Sequence, residues 1–250
     1  MSDQELSGKV AIVTGAGRNI GRAIALALAD AGASVTVVVR SNKAEADAVV
    51  KEIEAKGGKA LAQLADIADA KAVQAAADAT LKAFGRIDCL INNAAIRREK
   101  NIGEMSYDDW REVMNVTLDG AFHCVKACLP ALKKNGGTIL NIGGMSAHIG
   151  SADRAHVTAA KLGLVGFTRG LAHDLARDKI TVNCVVPGAI DTPRDAAAKK
   201  PAHHLTHGTI TGERGKPEDV AAMVRFLCGP GARHLTGQTL HVNNGAYLGT

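Results

Sequence analysis

An α/β protein built on a single doubly wound parallel sheet of about seven strands is the fold class that the sequence predicts. Three observations carry that expectation. Short runs rich in Val and Ile alternate with longer Ala-rich stretches along the chain, a rhythm that produces strand–helix–strand units and parallel pairing. The runs are continuously apolar instead of alternating, as strands are when helices cover both faces of their sheet. No Pro/Ser-rich linker, repeat or low-complexity segment interrupts the 250 residues, so 1–250 is expected to form one domain.

The elements follow in order. The first strand is VAIVT at 10–14; the glycine-rich TGAGRNIG at 14–21 leads from it into a helix over 20–31. Strands are expected at 34–39, 60–64, 89–92, 138–142, 181–186 and 239–242, and helices over 43–56, 70–84, 107–133, 153–177 and 217–228. Several ends carry their own signals. Ser106 with Asp109 forms a capping-box pattern. Pro217 suits a first helical turn, and Gly136 follows a helix end.

Composition narrows the function classes. Hydrophobic residues make up 46% of the chain but aromatics only 3%, so Ala, Val, Leu and Ile must fill the core. No apolar run approaches the roughly 18–20 residues of a membrane helix, and MSDQELSGK at the N-terminus has no hydrophobic signal region. No membrane association is expected. The five cysteines, Cys89, Cys124, Cys128, Cys184 and Cys228, show neither zinc nor disulfide spacing, which points to buried thiols in a reducing cytoplasm. The net charge of +5 arises from 30 bases scattered among 25 acids, with no basic-aromatic stripe. A phosphorylated small ligand explains that excess better than nucleic acid does.

The turn after the first strand is the first chemical signal. Glycines there let a pyrophosphate approach the backbone and the positive end of the following helix. The spacing Gly15, Gly17, Gly21 is one residue longer than the common dinucleotide fingerprint. Thr14-Gly15-x-x-x-Asn19-x-Gly21 resembles, with one glycine replaced, the T-G-x-x-x-G-x-G turn of the short-chain dehydrogenase/reductase family. Further likenesses follow in that family's order: Asn92-Asn93-Ala94-Ala95 for N-N-A-G, Asn115-Val116 for the N-V of the next helix, Pro187-Gly188-Ala189-Ile190-Asp191-Thr192, and Thr236 to Val242 in the last strand. The resemblance spans about residues 6–248 and implies a Rossmann-type fold, a nicotinamide dinucleotide and a small-molecule carbonyl or alcohol substrate. Asn19 tolerates a positive φ, so the turn is expected to survive, whereas Ala95 slightly crowds the cofactor wall.

The choice of dinucleotide has a physical basis. An acid at the end of the second strand would repel a 2′-phosphate, and here that strand runs into Arg40, Ser41 and Asn42, with Arg18 in the glycine turn. Two guanidinium groups and a hydroxyl suit a phosphate dianion, so NADP(H) is expected. The resemblance adds Asp66 beside the adenine with Ile67, Asn93 and Ala94 along the wall, Ile20 in the turn, Pro187, Gly188 and Ile190 after the sixth strand, and Thr192 at the carboxamide.

At the reacting end the resemblance implies a Ser-Tyr-Lys-Asn set. Lys161 matches the lysine, which would also hold the nicotinamide ribose, and Asn115 matches the asparagine of a water relay. The tyrosine position falls on Val157 and the serine position on Gly144, and neither can exchange a proton. Candidate substitutes are Ser146, His148 and the histidines of PAHHLTH, namely His203, His204 and His207, in the segment that covers the substrate in this family. His156 should point about 140° away from Lys161 on a helix. No metal site is expected, because no carboxylate or third ligand accompanies His203 and His207. Arg97, Arg98 and Lys100 are either solvated or bind an acidic substrate group.

Three functions fit these residues. The first is an NADP(H)-dependent oxidoreductase with an altered proton-transfer site. The second is a lyase, hydrolase or isomerase on the same fold, and the third is a non-catalytic NADP-binding protein. The resemblance also implies a homotetramer packed through the helices at 107–133 and 153–177 and the last strand.

Overall fold

The computed structural model describes residues 4–192 and 208–249. Seven strands form one parallel sheet: β1 (Val10–Thr14), β2 (Ser34–Val39), β3 (Ala60–Leu64), β4 (Cys89–Asn92), β5 (Gly137–Ile142), β6 (Ile180–Pro187) and β7 (Thr239–Val242). Their order is β3-β2-β1-β4-β5-β6-β7, every neighbour pair parallel. The order reverses between β1 and β4. At such a switch point the loops leaving the carboxyl ends of the strands diverge and open a crevice for a ligand.

Both faces of the sheet are apolar because successive strand residues enter different cores. Ala11 and Val13 of β1, with Val35, Val37 and Val39 of β2, pack against α1 (Asn19–Asp30), α2 (Lys43–Ala55) and α8 (Pro217–Cys228). Ile12, Val38 and Leu90 face the opposite layer of α3 (Ala70–Phe84), α5 (Gly120–Asn135) and α7 (Ala155–Leu175). The expected caps form: Ser106 Oγ accepts from Asp109 N at 3.1 Å, and Ser106 N donates to the Asp109 carboxylate at 2.9 Å. Pro217 opens α8, and Gly136 has φ +69 after α5. All five cysteines are buried and free. Among the described residues no helix is long and apolar enough to cross a membrane.

Two details differ from the sequence expectation. The helix expected over 107–133 is divided into α4 (Tyr107–Met114) and α5 by one π turn, Asn115–Asp119. Arg111 spans that wider turn, donating to Asn115 Oδ1 at 2.6 Å and to the Asp119 carboxylate at 3.2 Å. Gly120, just beyond it, lies so close to Ile67 that a Cβ there would come within 2.7 Å of the isoleucine methyl. The inserted residue brings the helix against Ile67, and π turns recur where a helix passes a site. The second detail is a four-residue helix, α6 (Ser146–Ile149), too short to show a period.

The amino edge of the sheet is closed by a charge cluster. Asp88, 2% exposed, accepts from Arg86 at 2.6 and 2.7 Å, from Val10 N at 3.0 Å and from Lys9 at 3.2 Å.

Candidate active site

The glycine turn is fastened to the neighbouring strand by side chains. Thr14 Oγ1 donates to Ile91 O at 3.3 Å and accepts from the backbone N–H groups of Asn93 and Ala94 at 3.0 and 3.1 Å. The Asn93 amide donates to Thr14 O at 2.8 Å and to Gly15 O at 3.1 Å. Gly15 has φ +63, and a Cβ there would come within 2.9 Å of Ala94 Cα. Asn19 adopts φ +50, so the residue replacing a glycine does take the left-handed conformation. These constraints leave the first N–H groups of α1 facing an open groove, a site suited to a pyrophosphate.

That groove encloses about 640 Å³, within the range of ligand sites. Arg18, Arg40, Ser41 and Asn42 line one end, with Asp66 and Ile67 alongside and Asn93, Ala94 and Ala95 forming the wall. Asp66 accepts from Ala68 N at 3.0 Å, which orients its carboxylate. Glu45 also faces this groove, and a Cβ on Gly17 would meet its carboxylate at 3.0 Å. The expectation of no acid near the strand end therefore holds for β2 itself but not for the first turn of α2.

Lys161 stands where the groove meets a second, smaller recess of about 90 Å³. The lysine is buried, and its Nζ donates to Ile142 O, the last carbonyl of β5, at 2.5 Å. Burial, helped by the charge of Arg97, pushes its ammonium down to about 8. The recess is walled by Gly144, Ser146, Arg154, Val157 and the strand-end residues Pro187, Gly188 and Ile190. A Cβ on Gly144 would meet nothing closer than Lys161 Cγ at 3.8 Å. Val157 is buried and packs with Val113 and Ala160.

A family model described as enoyl-(acyl carrier protein) reductase matches residues 15–247. The chain belongs to the short-chain dehydrogenase/reductase family. It is 42% identical over 245 residues to the 3-oxoacyl-[acyl-carrier-protein] reductase of Synechocystis, covering 97% of this chain and 98% of that one. A short-chain dehydrogenase from Burkholderia cenocepacia in complex with NADP is 39% identical, with a TM-score of 0.91 and coverage of 97% and 99%. A blue fluorescent protein from a metagenomic library, in complex with NADPH, shares 39% identity at a TM-score of 0.91, covering 98% of this chain and all of its own.

Within this short-chain dehydrogenase/reductase the sequence-derived residues separate into groups. Gly15, Gly17, Arg18, Asn19, Ile20, Gly21, Arg40, Ser41, Asp66, Ile67, Asn93, Ala94, Lys161 and Thr192 all line the groove. Pro187, Gly188 and Ile190 line the adjoining recess, where Ile20 and Lys161 also reach. Asn115 opens the π turn with its side chain engaged by Arg111, and Val116 beside it faces the groove. His203, His204 and His207 lie outside the described residues. Arg97 and Arg98 line the groove, and Arg97 the recess as well. Lys100 pairs with Asp109 at 3.0 Å.

His156 is fully buried and faces neither cavity, in keeping with its expected angle. His148 turns away from the recess too. It packs edge-on against His241 at 4.7 Å and beside Tyr247 at 5.5 Å, between ring centroids. Glu45 and Arg154 were not legible as site residues. Glu45 reads as an ordinary helix-start acid, and Arg154 as the exposed residue before a helix.

Proposed function

We infer that this protein is an NADP(H)-dependent oxidoreductase acting on a carbonyl or alcohol of a small molecule, with a proton-transfer site altered from that of its family. The observation that carries this reading is the position of Lys161, buried at the wall common to a dinucleotide-sized groove and a small recess. A dinucleotide held by these residues would supply hydride-transfer chemistry. The glycine turn and the start of α1 hold its pyrophosphate, Arg18, Arg40 and Ser41 its 2′-phosphate, and Asp66 its adenine end. Asn93 and Thr192 border the path between them. The NADP and NADPH complexes of the two structural relatives support this assignment.

Val157 and Gly144 stand at the family's tyrosine and serine positions and offer no proton. A positioned acid or base is worth about 10²–10⁴-fold in rate. Among the described residues lining the recess, Lys161 has its ammonium pushed down to about 8, and we assign it the proton at Nζ as well as the contact that a ribose would make. Ser146, in the same wall, has the hydroxyl able to orient a carbonyl. Asn115, whose side chain Arg111 engages, is the residue we assign to the family's water relay.

The reading is tested by cofactor titration and turnover together. NADP(H) should bind tighter than NAD(H), Arg40→Asp should reverse the order, and a carbonyl substrate should drive NADPH consumption. Equal affinity for both dinucleotides in the unaltered protein overturns the cofactor assignment. The two missing hydroxyls favour a second reading, a lyase, hydrolase or isomerase, for which product would form with no change in NADPH absorbance.

Assembly as a homotetramer belongs to the same reading. Tyr107 of α4, Phe122 of α5 and Leu162 of α7 are exposed apolar residues on the helices through which such an assembly would pack. Light scattering at micromolar concentration should give four chains, and a monomer contradicts the assembly.

A further inference from the structure

We propose that the recess beside Lys161 takes the carboxylate of a short oxo acid or hydroxy acid, with Arg97 and Arg154 as the residues that select it. Among the described residues, three cationic side chains, Arg97, Arg154 and Lys161, line this space, and no Asp or Glu does. The remaining wall is glycine, aliphatic side chains and the Ser146 hydroxyl. Cationic groups set in low-dielectric walls focus a positive potential into the cavity and concentrate anions there. A guanidinium adds direction, because its planar fork matches a carboxylate with two parallel hydrogen bonds.

The two arginines are held in place by the backbone around them. Lys100 N donates to Asp153 O at 2.7 Å, and the Asn101 amide donates to the Asp153 carboxylate at 3.0 Å. These bonds tie the loop after β4, which carries Arg97, to the residue preceding Arg154. Asp153 itself adopts φ +58, a turn that an Asp tolerates. Arg154 pairs with Glu99 at 2.9 and 3.2 Å, which fixes its guanidinium, and Glu99 is not among the described residues lining the recess. The charge of Arg97 already acts on Lys161 across this space. An anion between them would relieve that repulsion.

Size limits the ligand. A recess of about 90 Å³ is well below the volume of a site for a drug-sized molecule. It admits a fragment of a few carbons. The neutral thioester end of an acyl-carrier substrate, as named for the Synechocystis relative, would bring no charge to these arginines. The role of Lys161 in turnover rests on the oxidoreductase reading, whereas the binding preference stands independently of it.

The test is calorimetric titration of the full chain, with and without NADP⁺, using 2-oxobutanoate, acetoacetate, the methyl ester of each, and inorganic phosphate. The acids should bind at least tenfold tighter than their esters. Arg154→Gln and Arg97→Gln should each remove most of that preference, and Arg154→Gln should leave NADP⁺ affinity within twofold because Arg154 lines only the recess. Melting temperatures establish that both variants fold, and the acid-to-ester ratio of the unaltered protein needs no variant at all. Esters that bind as well as acids, absence of acid binding, or a preference that survives in both variants overturns the proposal. Phosphate binding that needs both arginines, without acid binding, overturns the carboxylate assignment. Acid binding without NADPH consumption would instead leave this proposal standing and defeat the oxidoreductase reading.

Discussion

Two buried charges sit at opposite edges of one sheet, and their surroundings differ in kind. Asp88, at the amino edge before β4, is closed in by Arg86, Lys9 and the Val10 N–H. Burial alone would push its carboxyl up, but those hydrogen bonds and charges outweigh burial and hold it below the usual carboxylate range. Among the described residues, Lys161, at the carboxyl edge beyond β5, has one backbone carbonyl as partner and no carboxylate, and both burial and Arg97 push its ammonium down. A charge satisfied within the protein stabilises the fold. A charge held at a cavity against its own electrostatic preference is available to a ligand.

The largest expected effect is at the carboxyl edge. Lys161→Met should lower turnover by about 10²-fold or more and weaken NADPH binding. It should not destabilise the cofactor-free protein at pH 7. The ammonium titrates near 8 in the folded chain against an ordinary 10.5. Between those values the unfolded chain binds more protons, so stability rises with pH across that window. Below it the buried charge costs roughly 3 kcal/mol. Thermal melts from pH 7 to 9.5 should show the unaltered protein gaining stability relative to Lys161→Met. A constant difference would mean that Lys161 is as well satisfied as Asp88, and the comparison would fail.

The amino edge should respond in the opposite sense. Asp88→Asn should cost about 2–3 kcal/mol in denaturant unfolding at pH 7 and leave activity per folded molecule unchanged. The depressed carboxyl stabilises the fold above its ordinary pKa, and that stability is lost as pH falls through the lower folded value. The gap between the two proteins should therefore narrow below about pH 4. A loss of activity without a loss of stability would place function at both edges.

Glu45 sharpens the contrast within the carboxyl edge, because it is an acid lining the same groove as Arg18, Arg40 and Ser41, the groups proposed to hold the 2′-phosphate. Glu45→Gln should tighten NADP⁺ severalfold with little change for NAD⁺, as measured by paired titrations. An unchanged ratio would show that its carboxylate lies too far from the 2′-phosphate to matter.

Most of the scaffold was legible because the strands are continuous apolar runs and the long helices bury a periodic apolar face, both of which local sequence encodes directly. The π turn was not, since it depends on Gly120 meeting Ile67, fifty-three positions away, a contact that no short window contains. The groove was readable through the glycine turn and Asn93, whose chemistry is mainly backbone geometry. Arg154 escaped because its place in the recess depends on Glu99, fifty-five positions away, and on the ties between Asp153 and the loop after β4. Val157 and Gly144 were readable only as departures from a resemblance.

The smallest expected effects compare backbone strain at the two edges. Asn19 in the glycine turn has φ +50, and Lys179, leading into β6 at the amino edge, has φ +56. A left-handed conformation costs an ordinary side chain roughly 1–2 kcal/mol, and asparagine less because its short amide bonds locally. Glycine relieves that strain but enlarges the freedom of the unfolded chain by about 0.4–1 kcal/mol. Lys179→Gly should therefore stabilise by up to about 1 kcal/mol, with cofactor affinity unchanged. At Asn19 the two contributions nearly cancel, so Asn19→Gly should move stability by less than about 0.5 kcal/mol and NADPH affinity by less than twofold. Asn19→Ala separates strain from the amide's own contacts: it should cost about 1 kcal/mol and weaken NADPH measurably. If Asn19→Gly weakens NADPH as much as Asn19→Ala does, the asparagine amide contacts the dinucleotide directly and the turn is more than a rebuilt glycine loop.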